Sequence, residues 1–354
     1  MELIITGSYT DSIGKSGIRV FRWANNALIP VSEADCPSPS FMVYNKGFLY
    51  VISELPDTGV ISAYTLHAKD GTLQFLNKIT VPCRGLCHID ISPDSKMLCA
   101  AAYNSGHVLI CDILPDGRIG KLCDIVAHKG QSIHQRQSSA HAHQALVDKS
   151  GLICVSDLGL DKVLFYEITP DHRLSLQNSI IVPPGEGPRH VVIHPSLPII
   201  YVLTELGNKV LCYEKTYVEY HLKQTIALNT KNIDTAASAE LELSKDGRFL
   251  YASVRGLDCI ALMKVNELDG LLSDPQFFLT PGKEPRMFSL SSNGDFLFVA
   301  LQNSSRMAVM KIDKKTGVLV DTHIGADILN VCYVQEICSC ATEHKSHQIV
   351  HSLS

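Results

Sequence analysis

Ionisable side chains recur beside strand-like segments throughout this chain. His88, His143 and His190 stand at the start of the apolar runs HIDIS, HQALV and HVVIH, and Glu205 and Arg255 close the runs IIYVLTE and FLYASVR. A neutral histidine can accept a proton near pH 7. Arginine offers planar, paired donors that suit a carboxylate or a phosphate. These residue types together indicate proton transfer beside a bound anion.

The elements that carry these residues form an internal repeat. Seven segments align at steps of 42 to 55 residues: GIRVFRW, GVISAYTL, HVLICDI, KVLFYEI, KVLCYEK, CIALMKV and RMAVMKI. Two short runs rich in β-branched and aromatic residues precede most of them, and a further run such as TLQFLNKITV follows. Such a period is typical of a propeller. The sequence therefore predicts an all-β fold, a seven-bladed β-propeller with four-stranded antiparallel blades around a central channel.

The two ends of the repeat are expected to close the ring. The first strand, ELIITGS, and the last, ILNVCYVQEI, can complete one another and leave only short edges. No capped amphipathic helix separates the strands, which argues against a parallel α/β fold. Residues 1–337 are predicted to form one domain, and residues 338–354 a flexible polar tail.

Composition narrows the classes of partner and compartment. The formal net charge is -5 and the pI about 6.3, so no positive field favours nucleic acid. No signal peptide and no membrane-spanning apolar stretch is present, so we expect a cytoplasmic protein with no membrane partner.

The cysteines are expected to be free thiols, because several lie inside apolar runs. These are Cys99, Cys111, Cys154, Cys212 and Cys259. Cys338 and Cys340 precede three tail histidines, but C-x-C is not the usual zinc spacing, so no metal is expected.

The repeat also predicts which side chains converge. One end of the inner strands should carry Ser40, His88, His143, His190, Glu240 and Met287, and the strands that follow should end on Glu54, Tyr103, Asp157, Glu205, Arg255 and Gln302. So many polar residues in equivalent places favour a binding or catalytic cluster over purely structural networks. Two Pro-Arg turns add Arg189 and Arg286, and the long connector 127–143 is a candidate lid.

The chain resembles the lactonase family of seven-bladed propellers, which includes 6-phosphogluconolactonases and carboxymuconate cycloisomerases. The motifs that carry the resemblance are GSYT, AYNSG, HAH, SDLGLDKV, GPRH, TEL, DGRFLYASVR and a second PR, spread over about residues 3–335. The resemblance implies catalytic roles for His143, Arg189, Glu205 and Arg255. The register adds substrate-binding candidates: His88, Tyr103, His190, Arg286 and Gln302. Glu242 stands where many relatives carry histidine, which bears on substrate preference.

The resemblance favours a hydrolase that opens a sugar lactone, above all a 6-phosphogluconolactonase of the pentose phosphate pathway. His143 would accept a proton from the attacking water, while Arg189 and Arg255 bind the anion and the developing oxyanion. We expect a small-molecule lactone as the only partner, no cofactor, and a monomer or weak homodimer. A lactonising cycloisomerase and a non-catalytic binding propeller remain alternatives, because the fold alone does not decide between them.

Overall fold

The computed structural model describes residues 2–10, 16–217 and 219–338 as seven four-stranded antiparallel sheets. The predicted all-β, seven-bladed propeller is confirmed, and the helical content of the described chain is two 3₁₀ turns, Gln135–Gln137 and Gln302–Ser304. The predicted flexible tail, residues 338–354, lies outside the described residues from position 339 onward. Among the described residues, no helix is long and apolar enough to cross a membrane.

Each sheet runs from an inner strand at the channel to an outer strand at the rim, and the strands are numbered in chain order. The inner strands are β4 (Pro39–Asn45), β8 (Leu86–Ile91), β12 (Ala142–Val147), β16 (Pro188–Ile193), β20 (Ala237–Leu243), β24 (Pro285–Leu290) and β28 (Val331–Cys338). The second strands are β1 (Glu2–Ser8), β5 (Phe48–Glu54), β9 (Met97–Ala102), β13 (Ile153–Asp157), β17 (Ile199–Thr204), β21 (Phe249–Arg255) and β25 (Phe296–Leu301).

The outer half of each sheet is built from two further strands. The third strands are β2 (Ser16–Ala24), β6 (Gly59–Leu66), β10 (His107–Ile113), β14 (Lys162–Ile168), β18 (Lys209–Lys215), β22 (Cys259–Lys264) and β26 (Arg306–Ile312). The outer strands are β3 (Ala27–Asp35), β7 (Leu73–Val81), β11 (Ile119–Ala127), β15 (Leu174–Ile181), β19 (Tyr220–Ala227), β23 (Gln276–Leu279) and β27 (Leu319–Asp327).

The ring closes between the two ends of the chain, as predicted. Strand β28 pairs with β1, so blade 1 takes its inner strand from the last described residues and its other three from the first. Blades 2 to 7 then follow in chain order from β4. Because β28 pairs with β1, the innermost strand of blade 1 belongs to a complete four-stranded sheet like those of the other blades.

The apolar core lies between neighbouring blades. Seven clusters of buried residues each join two adjacent sheets, including the junction between blade 7 and blade 1, where Trp23 packs against Phe298. The ten cysteines from Cys36 to Cys332 are free, and nine of them are buried, which agrees with their prediction as small apolar side chains. The core is therefore a ring, and the channel at its centre is left to polar side chains.

Candidate active site at the channel mouth

An extra residue interrupts every inner strand close to its first residue. Pairing with the second strand skips one residue in six blades, at Ser40, Cys87, His143, Arg189, Arg286 and Cys332, and blade 6 has its extra residue between Ser238 and Leu241. Such β-bulges re-aim side chains and are common beside active sites. Seven bulges at one level therefore form a ring around the channel, which we call the bulge ring.

The bulge ring corrects the predicted register of the histidines. His143 occupies the extra position, as Arg189 does, whereas His88 and His190 come one residue after it. The three rings nevertheless meet, because His190 lies 5.4 Å from His143 and 5.9 Å from His88 between ring centres. A one-residue offset that would separate side chains on a regular strand is absorbed by the bulge.

Arg189 and His143 form the buried centre of the site. Both side chains are buried, and Arg189 Nη1 lies 2.6 Å from His143 Nε2. A guanidinium has no acceptor, so His143 Nε2 must accept this hydrogen bond and the ring proton must sit on Nδ1. Burial, followed by the charge of Arg189, holds the pKa of His143 well below its usual range. His143 is therefore a neutral imidazole, and its Nδ1 has no partner in the described chain.

Glu205 is a carboxylate shared by three arginines. It pairs with Arg189 Nη1, with Arg136 Nη2 at 2.7 Å and with Arg255 Nη2 at 3.3 Å. Burial opposes its ionisation, but the charges of the three guanidiniums outweigh burial and hold the pKa of Glu205 well below its usual range. Glu205 and Glu284, which lies 3.6 Å from Arg255, give two negative charges against three positive charges, so this part of the site is cationic.

Arg255 is fastened from two sides. Its Nε donates to Ala237 O at 3.1 Å, and its Nη1 lies 3.6 Å from Glu284. Burial lowers its pKa to about 10, so it keeps its charge at neutral pH. Arg189 is held in the same way, since its Nε donates to Ala239 O at 2.9 Å. Backbone carbonyls thus anchor the Nε atoms of the two inner arginines.

A fourth arginine, Arg286, lies on the side of blades 7, 1 and 2. Arg286 Nη2 donates to the Tyr9 hydroxyl at 2.6 Å, and that hydroxyl donates to Glu54 Oε2 at 2.6 Å. Burial opposes the charge on Arg286, but Tyr9 and Glu54 outweigh it and raise its pKa. Burial also raises the pKa of Tyr9, so the phenol stays neutral. This chain of bonds keeps Arg286 charged and aimed at the channel.

His190 and His88 lie beside the Arg189–His143 pair in the channel. His190 Nδ1 pairs with Glu240 at 2.6 Å, and the ring of His88 lies 4.1 Å from that of Phe41 between centres. Burial, followed by His190, holds the pKa of His88 well below its usual range. A cavity of about 20 Å³ opens among these groups, bounded by His143, Arg189 and Arg286 among others. It has room for about one water molecule.

The predicted site residues fall into three groups. His143, Arg189, Glu205 and Arg255, the proposed catalytic set, form one contact network. His88, Tyr103, His190 and Arg286 lie around it, and the Tyr103 ring is 5.5 Å from that of His143. Gln302 starts the short turn after β25, and its side chain makes no hydrogen bond to these arginines in the described chain. Asp157 instead anchors the connector to blade 4.

Two contributors were missed by reasoning from the sequence. Tyr9 is equivalent to Tyr103, since each follows the second strand of its blade, but β1 opens the chain and its blade was not overlaid on the others. Arg136 belongs to the connector, which has no counterpart in other blades. The sequence did offer one signal for it: Arg136 is the one arginine of the connector, which was predicted to be a lid.

Larger cavities are lined by other residues than those of this network. One of about 790 Å³ is bounded by Arg84, Asn104 and His128 between blades 2 and 3, and one of about 1250 Å³ lies among the turns at the opposite ends of the inner strands. Asp112 of β10, Cys123 of β11 and His172 of the turn between β14 and β15 bring three possible metal-ligand atoms within 4.8 Å of one another. None of these three belongs to the channel network, so a metal there would not act on a lactone bound at the arginines.

Comparisons with known proteins agree with this architecture. Residues 3–334 match the profile of the family described as "Lactonase, 7-bladed beta-propeller". The chain belongs to this family. It is 32% identical to the 6-phosphogluconolactonase of Bacillus subtilis over 291 residues, which cover 80% of this chain and 83% of that protein. A 6-phosphogluconolactonase of Formosa agariphila is 30% identical over 308 residues, 81% of this chain and 86% of the relative.

Solved structures give the same result. The periplasmic gluconolactonase PpgL of Pseudomonas aeruginosa superposes with a TM-score of 0.89 at 25% identity, covering 95% of this chain and 99% of that one. A Bacteroides fragilis protein assigned as a 6-phosphogluconolactonase has a TM-score of 0.89 at 27% identity, with 95% and 98% covered. Lactonases named for phosphorylated and for unphosphorylated sugars thus share this fold.

Proposed function

We propose that the protein hydrolyses a sugar lactone, with 6-phosphogluconolactone as its substrate in the pentose phosphate pathway. The observation that carries this proposal is a neutral, buried histidine bonded to an arginine within a cluster that holds more guanidiniums than its shared carboxylate can balance. A lactone with an anionic substituent needs both features. The names of the two bacterial relatives support the same substrate.

His143 is assigned the role of general base. In the structure its Nε2 accepts from Arg189, so it can take a proton from water only once Arg189 Nη1 has turned towards the substrate. The substrate's carbonyl oxygen, which gains negative charge as water attacks, is the acceptor that would draw this guanidinium away. Substrate binding and exposure of the base are thereby coupled.

In the proposed reaction, water and the side chains of the site account for every proton transferred and every bond formed or broken. One proton of water passes to His143 Nε2 while the water oxygen bonds to the carbonyl carbon, and Arg189 and Arg255 stabilise the tetrahedral oxyanion. The bond between that carbon and the ring oxygen then breaks, and the proton on His143 passes to the departing oxygen. The product is the open-chain hydroxy acid, and the base is restored.

The test is a coupled assay on freshly prepared 6-phosphogluconolactone, measured against the spontaneous rate. We expect His143→Ala to lower kcat by about 10²- to 10⁴-fold, the usual contribution of general acid-base catalysis. The exposed His67 supplies the matched control, His67→Ala, with unchanged rates. A wild-type rate equal to the spontaneous one would overturn the proposal, and formation of a lactone from a muconate would favour a cycloisomerase instead.

We also propose a reducing, cytoplasmic location. Its support is that the ten cysteines from Cys36 to Cys332 are free. A secreted protein of this cysteine content would be expected to form disulfides. Fractionation of the native host, followed by lactonase assay, tests the location. Size-exclusion chromatography tests the expectation of a monomer or weak homodimer.

A further inference from the structure

The connector between β11 and β12 is held against blade 4 by hydrogen bonds and an ion pair. His128 Nδ1 pairs with Asp157 Oδ2 at 2.7 Å at its start, and the backbone N–H of His141 donates to Asp157 Oδ1 at 2.8 Å at its end. In the middle, Ser132 Oγ donates to Asp161 Oδ2 at 2.5 Å. One buried carboxylate therefore ties both ends of the connector to blade 4.

A 3₁₀ turn at the top of the connector carries Arg136. His134 Nδ1 accepts from the backbone N–H of Arg136 at 3.1 Å, and Gln137 Oε1 accepts from that of His134 at 3.0 Å. Gln137, fully buried, also donates to Leu158 O at 2.7 Å. Because side chains on both flanks lock the turn, Arg136 is presented over the channel in one orientation.

Arg136 differs from the other arginines of the site in exposure. Its side chain is 44% exposed, against 7% for Arg189, 10% for Arg255 and 21% for Arg286. An anion that binds at the most exposed guanidinium loses the least hydration. The outermost part of a substrate would therefore meet Arg136 first.

Arg136 also has donors to spare. Both of its contacts, with Glu205 Oε1 at 2.7 Å and with the Tyr103 hydroxyl at 3.0 Å, use Nη2. In the described chain, its Nε and Nη1 have no partner. Glu205 is already paired with Arg189 and Arg255, so the charge of Arg136 is not fully balanced by it. These two groups point from different edges of the guanidinium, so a phosphate or carboxylate oxygen can accept from either of them while Nη2 keeps its present contacts.

From these observations we propose that Arg136 determines specificity by binding the phosphate of the lactone at the channel mouth, while the inner arginines handle the ester. This inference rests on the proposed lactonase function. The phosphate lies on the carbon outside the lactone ring. With the ring above the cavity of about 20 Å³, the ester can face His143 while the phosphate stays near the mouth. Arg136 binds substrate in this assignment and takes no part in bond breaking.

The test compares two substrates on the same protein samples, 6-phosphogluconolactone and unphosphorylated gluconolactone. Arg136→Gln should lower the ratio of kcat/KM for the phosphorylated to the unphosphorylated lactone by roughly 10- to 100-fold, the usual value of a hydrogen bond to a charged group. The loss should appear mainly in KM. Arg136→Lys, which keeps the charge without the planar fork, should fall between wild type and Arg136→Gln.

The matched control is Arg84→Gln, which removes an exposed arginine next to the cavity between blades 2 and 3 and should leave both kcat/KM values unchanged. A ratio unchanged by Arg136→Gln in an active enzyme would overturn this inference and leave the proposed function standing. Failure of the wild type to hydrolyse either lactone would overturn both.

Discussion

Replacing Glu205 with glutamine tests the electrostatic account of the site. Glutamine keeps the size of the side chain but removes the charge that Arg136, Arg189 and Arg255 share. The three arginines are not affected equally. Arg136 is 44% exposed and can return to solvent, and Arg255 keeps Glu284 at 3.6 Å. Arg189 loses its carboxylate partner while it stays buried.

The cost is therefore that of one buried, uncompensated charge, about 3–5 kcal/mol. With about 2.1 cal/mol/K of unfolding entropy per residue over this chain, Tm should fall by roughly 4–7 °C. The pKa of Glu205 is depressed in the folded state, so its stabilisation is complete above its unfolded pKa of about 4.3 and is lost as the pH falls through its folded value. The full difference should thus appear at pH 7.

The assay is urea-induced unfolding at pH 7, with lactone hydrolysis measured on the same variants. Glu205→Gln should also lose most activity, because Arg189 is no longer aligned. The control Glu33→Gln removes a surface pair with Arg19, separated by 3.9 Å, and should cost less than about 1 kcal/mol. Adding Arg189→Met to Glu205→Gln should restore at least about 1 kcal/mol relative to the sum of the single changes. Stability within about 1 kcal/mol of wild type for Glu205→Gln would refute the reasoning.

Three further outcomes are expected. Because the pKa of His143 is held well below its usual value, kcat/KM on unphosphorylated gluconolactone should stay constant as the pH falls through about 6.5; a fall to half at that pH would contradict a masked base. Burial raises the pKa of Glu242 to about 8, so its penalty on folding grows from its unfolded pKa of about 4.3 up to pH 8, and Glu242→Gln should flatten this decline in urea unfolding measured at several pH values. A Cβ at Gly159 would collide with the carbonyl oxygen of Ser139, so Gly159→Ala should displace the connector and reduce kcat/KM on the phosphorylated lactone; equal activity would show that the connector's position does not matter.

Much of the fold was predictable because its determinants are local. Short runs such as FLYVISE and MLCAAAY are enough to predict β-strands, and Gly, Asp and Asn mark the turns between them. The closing contact between β28 and β1 was predictable for a different reason, since a propeller with unpaired end strands would expose long edges.

The site was predictable only where a side chain follows the repeat. Glu205 and Arg255 were found because each blade offers the same positions, whereas Tyr9 was missed because its blade is split between the two ends of the chain. Arg136 belongs to a connector with no counterpart in the repeat. Its contact with Glu205 depends on how that connector folds over blade 4.

The sequence by itself therefore determined the number of blades, the order of their strands and the types of side chain available for chemistry. The tertiary structure decided which of them meet. A bulge of one residue turns His143 into line with Arg189 rather than with His88, and the resulting contact places the imidazole proton on Nδ1. The physical reason is that strand propensity is set by neighbours along the chain, whereas register shifts, burial and shared charges are set by neighbours in space.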